Sequence, residues 1–256
     1  EEESPYYRDV RFLRRTAALY ADLHSRDRSL RIAAATQLGQ VADLVDMSPL
    51  LQALGDPASE VAEAAEASFR RIGLAALDAL LGGLAHDTPA IRERCYRLIE
   101  GLGQAARSRL AGALRSSQPR VTTAAARLLA SLGARQELAD ALAWAAPEHQ
   151  EGIVQALLTE GVAACEALLR TLLRVSSARQ PVIVAALGAL RRQREDVERH
   201  LEEVLRRTKD PARREVLQRA LKAPAEPFSA SGIPASVVML PEDSDAAEER
   251  EASSPV

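Results

Sequence analysis

The order of apolar and polar residues repeats about every 30 positions. Residues 61–73 are VAEAAEASFRRIG, residues 91–103 are IRERCYRLIEGLG, and residues 121–133 are VTTAAARLLASLG. Numbered from zero, these segments carry apolar or small side chains at positions 0, 3, 4, 7, 8 and 11, with Arg94 as an exception, and glycine at position 12. Such spacing places the apolar side chains on one face of a helix. The pattern predicts a repeated amphipathic α-helix of about three turns.

The same pattern can be aligned along most of the chain. Position zero falls on Leu30, Val61, Ile91, Val121, His149, Val182 and Arg213. Small residues at positions 3 and 4, such as Ala64 and Ala65, predict that a neighbouring helix packs closely. Glycine at position 12 predicts a left-handed helix end, because glycine has no Cβ. These glycines are Gly73, Gly103, Gly133 and Gly161.

A second apolar-periodic segment lies between each pair of these helices. The segments are 48–55, 74–85, 104–117, 134–146, 162–177 and 194–209, and a further helix is predicted over 7–24. Between segments stand turns with a proline, GDPASE, HDTPAI, SSQPRV, AAPEHQ, SARQPV and TKDPAR. Proline after Asp or Ser is a strong signal for the start of a helix. The sequence therefore predicts a helical hairpin repeated about seven times.

The segments SLRIAAATQLGQVA and DPASEVAEAAEASFRRIG resemble HEAT repeats of the short bacterial kind found in bilin-lyase-like proteins. The resemblance extends over residues 10–221 and weakens where His149 and Arg213 occupy position zero. It implies a bacterial protein with an all-α fold, a right-handed α-solenoid of about seven HEAT-like helical hairpins. The second helix of each hairpin would line a concave face. Charged residues in REDVERHLEEVLRRTKD predict a solvated C-terminal cap, which a solenoid needs.

Composition agrees with a helical body and separates a tail from it. Apolar residues make up 47% of the chain and aromatics only 3%, so the core must be built from closely packed Ala and Leu. Residues 223–256 contain five prolines and carry a net charge of −6, which leaves +3 on residues 1–222. We expect a HEAT-like α-solenoid over 1–222 and an acidic, disordered tail over 223–256. The apolar patch from Ile233 to Leu240 is either a short docking motif or part of a featureless tail.

The sequence contains no recognisable catalytic or cofactor motif. It has no HExxH, CxxC, GxxxxGK[ST] or GxGxxG, so we expect no enzyme activity, no metal and no cofactor. Cys95 and Cys165 lie in apolar helical segments, where two buried free thiols in a reducing cytoplasm are favoured over a disulfide. No apolar run approaches the length of a membrane span. Because the chain begins EEESPYY without Met or a secretory signal, we expect a cytoplasmic protein, either processed or part of something longer.

The outward-facing positions of the second helices supply the candidate binding residues. Tyr and Arg are enriched at binding hot spots, and acidic residues stand beside them on this face. The candidates are Glu63, Glu66, Arg70, Glu93, Tyr96, Arg97, Glu100 and Arg127. We expect Arg31 and Arg92 to stabilise the stack instead, by pairing with a turn acid such as Asp56 or Asp87. Trp144 is predicted to fill the core, while His86 and His149 are predicted to lie in surface turns.

Two classes of function fit the sequence. The first is a non-catalytic scaffold or adaptor that binds a protein partner on the concave face, as a separate protein or as a regulatory segment of a larger one. The second is a bilin-lyase-like enzyme, which rests on fold analogy alone. A HEAT-like DNA glycosylase is less well supported, because a duplex-binding face should be strongly basic and this one is mixed in sign. We therefore expect no nucleic-acid partner.

Overall fold

The computed structural model describes residues 16–40 and 46–222, which are helical with no strand among them. A helix over 16–23 (α1) comes first, and short 3₁₀ segments follow at Gly73–Ala76, Gly103–Ala106 and Ser177–Arg179. The other helices, all of them α-helical, are α2 (Arg28–Leu38), α3 (Ser48–Ala53), α4 (Ser59–Ile72), α5 (Leu77–Gly83), α6 (Pro89–Leu102), α7 (Arg107–Ala113), α8 (Pro119–Ser131), α9 (Arg135–Trp144), α10 (Pro147–Leu158), α11 (Val162–Leu172), α12 (Gln180–Gln193), α13 (Glu195–Arg207) and α14 (Pro211–Lys222).

The even-numbered helices stack in chain order as one continuous layer. Each of α2, α4, α6, α8, α10 and α12 contacts the next even-numbered helix, up to α14. Each odd-numbered helix from α3 to α13 packs against the even-numbered helix that follows it, which makes a second layer. A single apolar core runs between the layers from Leu19 to Ala220. This is the all-α, solenoid-like fold that the repeat predicts.

Proline starts four of the even-numbered helices, as the turn pattern predicts. Pro89, Pro119, Pro147 and Pro211 are the first residues of α6, α8, α10 and α14. Proline suits this position because its fixed φ matches the helix and its missing N–H would have no partner there. The turn GDPASE differs, since α4 begins at Ser59, two residues after Pro57.

All four repeated glycines have positive φ, but the predicted left-handed helix end forms at Gly133 and not at Gly73, Gly103 or Gly161. After α8, the Gly133 amide donates to the Ala130 carbonyl oxygen and the Ala134 amide donates to the Leu129 carbonyl oxygen, which are the hydrogen bonds of a left-handed cap. Gly73, Gly103, Gly133 and Gly161 have φ between 56° and 69°. The ψ of Gly73 is −132° and that of Gly103 is −138°, far from the left-handed helical value. Each of these two begins a 3₁₀ turn that leads into the next odd-numbered helix. A side chain is strongly disfavoured in this backbone region, so glycine is required where the chain turns at Gly73 and Gly103.

Small residues allow the even-numbered helices to approach closely, as predicted. Gly152 at position 3 of α10 lies against Thr123 of α8, where an added Cβ would come 2.5 Å from the Thr123 hydroxyl oxygen and 3.2 Å from its Cα. Ala34, Ala65, Ala125 and Ala186, at position 4 of their repeats, are at most 1% exposed. Helices whose contact residues are this small can lie with their backbones near each other.

Some expectations are not tested by the described residues. The right-handed sense, the concave curvature, the exact number of repeats and the HEAT assignment stay predictions. Residues 7–15 of the predicted first helix, residues 41–45 and the predicted tail at 223–256 lie outside the described residues. The charged face of α13 is exposed as expected, with Glu202–Arg206 and Glu203–Arg207 forming ion pairs one turn apart.

Candidate functional site: an arginine-lined groove between α6 and α8

All eight candidate residues lie on the layer of even-numbered helices, on α4, α6 and α8. Six of them form two groups in the structure: three line a groove, and three meet in an ion-pair cluster. Glu93, Tyr96 and Arg127 line the groove between α6 and α8. Glu66, Arg70 and Arg97 meet in a cluster between α4 and α6. Glu63 and Glu100 are exposed at the margins of the same surface.

The groove has a volume of about 640 Å³ and is open to solvent. Its walls come mainly from the N-terminal parts of α6 and α8, each of which begins with a proline. We call this site the α6–α8 groove; it is lined by Leu84, Pro89, Arg92, Glu93, Tyr96, Pro119, Arg120, Thr123, Ala124 and Arg127. Three cations and one carboxylate therefore face a floor of small and apolar side chains.

Tyr96 and Arg127 form a cation–π pair at the edge of the groove. The guanidinium carbon of Arg127 lies 5.6 Å from the centre of the Tyr96 ring, a cation–π distance. Burial raises the pKa of the Tyr96 phenol, the Arg127 charge opposes this and Glu100 adds to it. The phenol is thus neutral at physiological pH and can donate a hydrogen bond. Both residues also line a second depression of about 260 Å³ between α8 and α10, so the pair is a ridge between two hollows.

The other two arginines of the groove are held by the turn before α6. Arg92 Nη1 donates to the carbonyl oxygens of His86 and Asp87 at 2.8 and 2.7 Å. Arg120 Nη1 lies 3.4 Å from an Asp87 carboxylate oxygen, with the Asp87 side chain fully exposed. An exposed ion pair of this length is weak, so Arg120 can exchange Asp87 for another carboxylate at little cost.

Glu66 is placed differently from its prediction. It is only 9% exposed, although position 5 of the repeat was expected to face outward. Its Oε2 accepts a hydrogen bond from Arg70 Nη2 at 2.6 Å. Its Oε1 lies 3.1 Å from Arg94 Nη1, which is not aligned for a hydrogen bond, and 3.9 Å from Arg97 Nη2. Glu66 therefore joins α4 to α6, and the Arg94 that breaks the small-residue column supplies one of its counter-charges.

The predicted turn ladder is confirmed for Arg31 and is wrong in detail for Arg92. Arg31 donates to both Asp56 carboxylate oxygens, at 2.8 and 3.0 Å, across to the next unit. Arg92 instead holds the carbonyls of its own turn, and Arg120 is the residue that reaches the Asp87 carboxylate. The sequence analysis overlooked Arg120 and Thr123 as groove residues. Their place in the first two turns of α8, the helix that contacts α6 in the same layer, is the signal that would have found them.

Two further side chains differ from their predictions. Trp144 is 38% exposed, with the Arg115 guanidinium 4.7 Å from its ring centre, so it does not fill the core. His149 is buried in the first turn of α10, with its Nε2 lacking a hydrogen bond among the described residues, and is not a surface residue. His86 lies in its turn as predicted, where its Nδ1 accepts from the Thr88 amide.

Three further findings on the described residues concern thiols, possible metal ligands and membrane spans. Cys95 and Cys165 are free and buried, and burial raises the pKa of each thiol to about 12. Residues 16–40 and 46–222 hold no group of three or more His, Cys, Asp or Glu side chains suited to a metal ion. In the same ranges, no helix has both the length and the apolar character needed to cross a bilayer.

Comparison with known proteins assigns no family. No protein-family profile and no curated protein matches the chain. A designed armadillo repeat protein is 18% identical, with 80% of this chain and 98% of that one covered and a TM-score of 0.28. Two structures described as engineered proteins also match, each over 81% of this chain. One is 20% identical, with 97% of its own chain covered and a TM-score of 0.28. The other is 19% identical, with 67% of its own chain covered and a TM-score of 0.29. Scores this low add nothing to the argument, and the fold rests on the helix contacts.

Proposed function

We propose that the protein is a non-catalytic scaffold that binds an acidic segment of a protein partner in the α6–α8 groove. The observation that carries this proposal is the Tyr96–Arg127 cation–π pair in a groove with three arginines and one glutamate. A guanidinium held near an aromatic ring is restricted in position, and its N–H groups can still bind a carboxylate in a bidentate way.

The charge pattern favours a protein over a nucleic acid. Among the described residues, Glu93 and Arg127 have no ion-pair partner, so the groove offers one acceptor group as well as a cation. Glu63 and Glu100 add negative charge to the surrounding surface. A polyphosphate would be repelled by these carboxylates, while a peptide of mixed charge with an acidic excess would be complementary.

The groove also has the composition of an interaction hot spot. Tyr96 and Arg127 line it, and Thr123, Ala124 and the two prolines provide a floor on which a peptide backbone can lie. Arg97 and Arg70 extend the basic surface toward α4. No observation on the described residues favours the bilin-lyase-like or the DNA glycosylase hypothesis. We therefore propose only the scaffold function.

The test is a quantitative affinity purification with three versions of the full chain. They are the wild type, the triple variant Tyr96→Ala/Arg97→Ala/Arg127→Ala, and the control variant Arg199→Ala/Arg206→Ala/Arg207→Ala, which removes three exposed side chains from α13. We expect at least one protein to be retained by the wild type and the control and lost from the site variant. Identical sets of retained proteins for all three baits would refute the proposal.

A further inference from the structure

The last hairpins leave an apolar groove open at the C-terminal end of the stack. It lies between α11, α13 and α14 and has a volume of about 130 Å³. We call it the end groove; its apolar lining is Leu169, Leu172, Leu173, Val204, Val216 and Leu217. An apolar cavity of about 150 Å³ holds a benzene molecule, so the end groove has room for one aliphatic side chain.

Leu173 makes this groove unusual among the described surfaces. It is 50% exposed, the highest value among the large apolar side chains of the described residues that reach the surface. Leu169, Val204 and Val216 around it are only half-buried. Within a stack of repeats, the apolar surface of each hairpin is covered by the next hairpin. Because α14 is the last described helix, no described hairpin covers the apolar surface beside it.

The chain itself supplies an apolar segment next to this groove. Eleven residues after the end of α14, residues 233–240 are IPASVVML, the apolar patch within an otherwise acidic, proline-rich stretch. Val216 and Leu217 lie about 8 Å from the end of α14 along the helix axis. Eleven residues span up to about 36 Å, so the segment can turn back and reach the groove without strain.

We infer that residues 233–240 bind in the end groove of the same chain and close the C-terminal end of the solenoid. Val238, Met239 or Leu240 inserts between Leu173 and Val216, and apolar surface on both partners is removed from water. Pro234 and Pro241 bracket the segment and disfavour helix at its ends, which suits an extended strand of chain lying along a groove. Docking within one chain is favoured because the short connection gives a high effective concentration.

Disulfide trapping in the full chain tests this inference. In Leu173→Cys/Val238→Cys, mild oxidation should form the 173–238 disulfide at least tenfold faster than in two control pairs. The first control, Arg170→Cys/Val238→Cys, moves the body cysteine to an exposed position of the same helix. The second, Leu173→Cys/Ala247→Cys, moves the tail cysteine into the acidic part of the tail. The native thiols do not compete, because both are buried with pKa values of about 12.

A second measurement leaves Leu173 unchanged and therefore tests the inference even if Leu173→Cys disturbs the groove. Val238→Asp/Met239→Asp leaves the body unchanged and should speed hydrogen exchange of α13 and α14 amides severalfold relative to wild type, whereas Ala246→Asp/Ala247→Asp should not. Equal disulfide rates for all three pairs, disulfides that join two chains, or hydrogen exchange that is unchanged in the apolar-patch variant would each overturn the inference.

Discussion

Arg31 and Asp56 form an ion pair that fastens one repeat to the next. Arg31 Nε lies 2.8 Å from Asp56 Oδ2 and Nη2 lies 3.0 Å from Oδ1, while Nη1 donates to the Ser25 carbonyl oxygen of its own turn. Arg92 holds the carbonyls of its own turn in the same way. Asp56 stands five residues before position zero of its repeat, and the residue at the same place in the repeat after Arg92 is Ser116, which has no carboxylate. Half of the repeated interaction is therefore present at Arg92.

Restoring the missing carboxylate should stabilise the protein. Ser116→Asp places an acid opposite Arg92 in the turn before α8, and we expect a gain of about 0.2–1 kcal/mol in the free energy of unfolding. Denaturant unfolding gives the value, and the Arg92→Ala/Ser116→Asp double variant is the control. If Ser116→Asp stabilises the Arg92→Ala background equally, the gain does not come from this pair.

Removing the Glu66 carboxylate should destabilise the junction of α4 and α6. Glu66→Ala leaves Arg70, Arg94 and Arg97 without their shared partner, and Arg94 is the least exposed of the three. We expect a loss of about 1–3 kcal/mol by thermal or denaturant unfolding. Glu63→Ala, on the exposed side of the same helix, should change stability by less than about 0.5 kcal/mol. Equal effects of the two substitutions would show that the ion-pair cluster adds no stability.

The close approach of α8 and α10 should be sensitive to a single methyl group. Gly152→Ala would place its Cβ 2.5 Å from the Thr123 hydroxyl oxygen and 3.2 Å from the Thr123 Cα, so the helices must separate. We expect a loss of about 1–3 kcal/mol in unfolding free energy. Gly82→Ala in α5 meets no atom within 4 Å and should gain about 0.5–1 kcal/mol from helix propensity. A neutral Gly152→Ala would contradict the packing of these helices.

The two buried thiols should be unreactive in the folded protein. A thiol reagent such as Ellman's, applied at pH 8, should modify neither Cys95 nor Cys165 until denaturant is added, when both react. Burial raises each folded-state pKa to about 12, above the ordinary value of about 8.5. The stability linked to these thiols is complete below about pH 8.5 and is lost as the pH rises toward 12, because only the unfolded state then ionises. Rapid modification of the native protein would contradict their burial.

The sequence predicts the helices and their stacking well, because both depend on a short-range pattern. The positions of Pro89 and Pro119 mark where α6 and α8 begin, and Gly73 and Gly103 mark where the chain turns. The direction of each side chain is less predictable. Position 5 of the repeat faces outward in an isolated helix, but Glu66 is covered when Arg94 from the next repeat folds over it.

The groove could not be recognised from one helix at a time. Tyr96 and Arg127 belong to different repeats, and only the offset between α6 and α8 brings the guanidinium over the ring. Trp144 follows the apolar spacing of α9, yet it lies at the C-terminal end of the helix, where the chain turns away and leaves the indole to stack with Arg115. Interactions of this kind depend on where helices end, which is the least certain part of a periodic pattern.

The most direct test of the account is the position at which a partner touches the protein. A photo-crosslinking amino acid is placed at Glu93, in the α6–α8 groove, and in a second full-length protein at Ser108, an exposed residue of α7 in the other layer. Mass spectrometry then identifies the crosslinked peptide of the partner recovered by affinity purification. The account predicts a crosslink from position 93 to a peptide of net negative charge and none from position 108. A partner that crosslinks from position 108 and not from position 93 would contradict it.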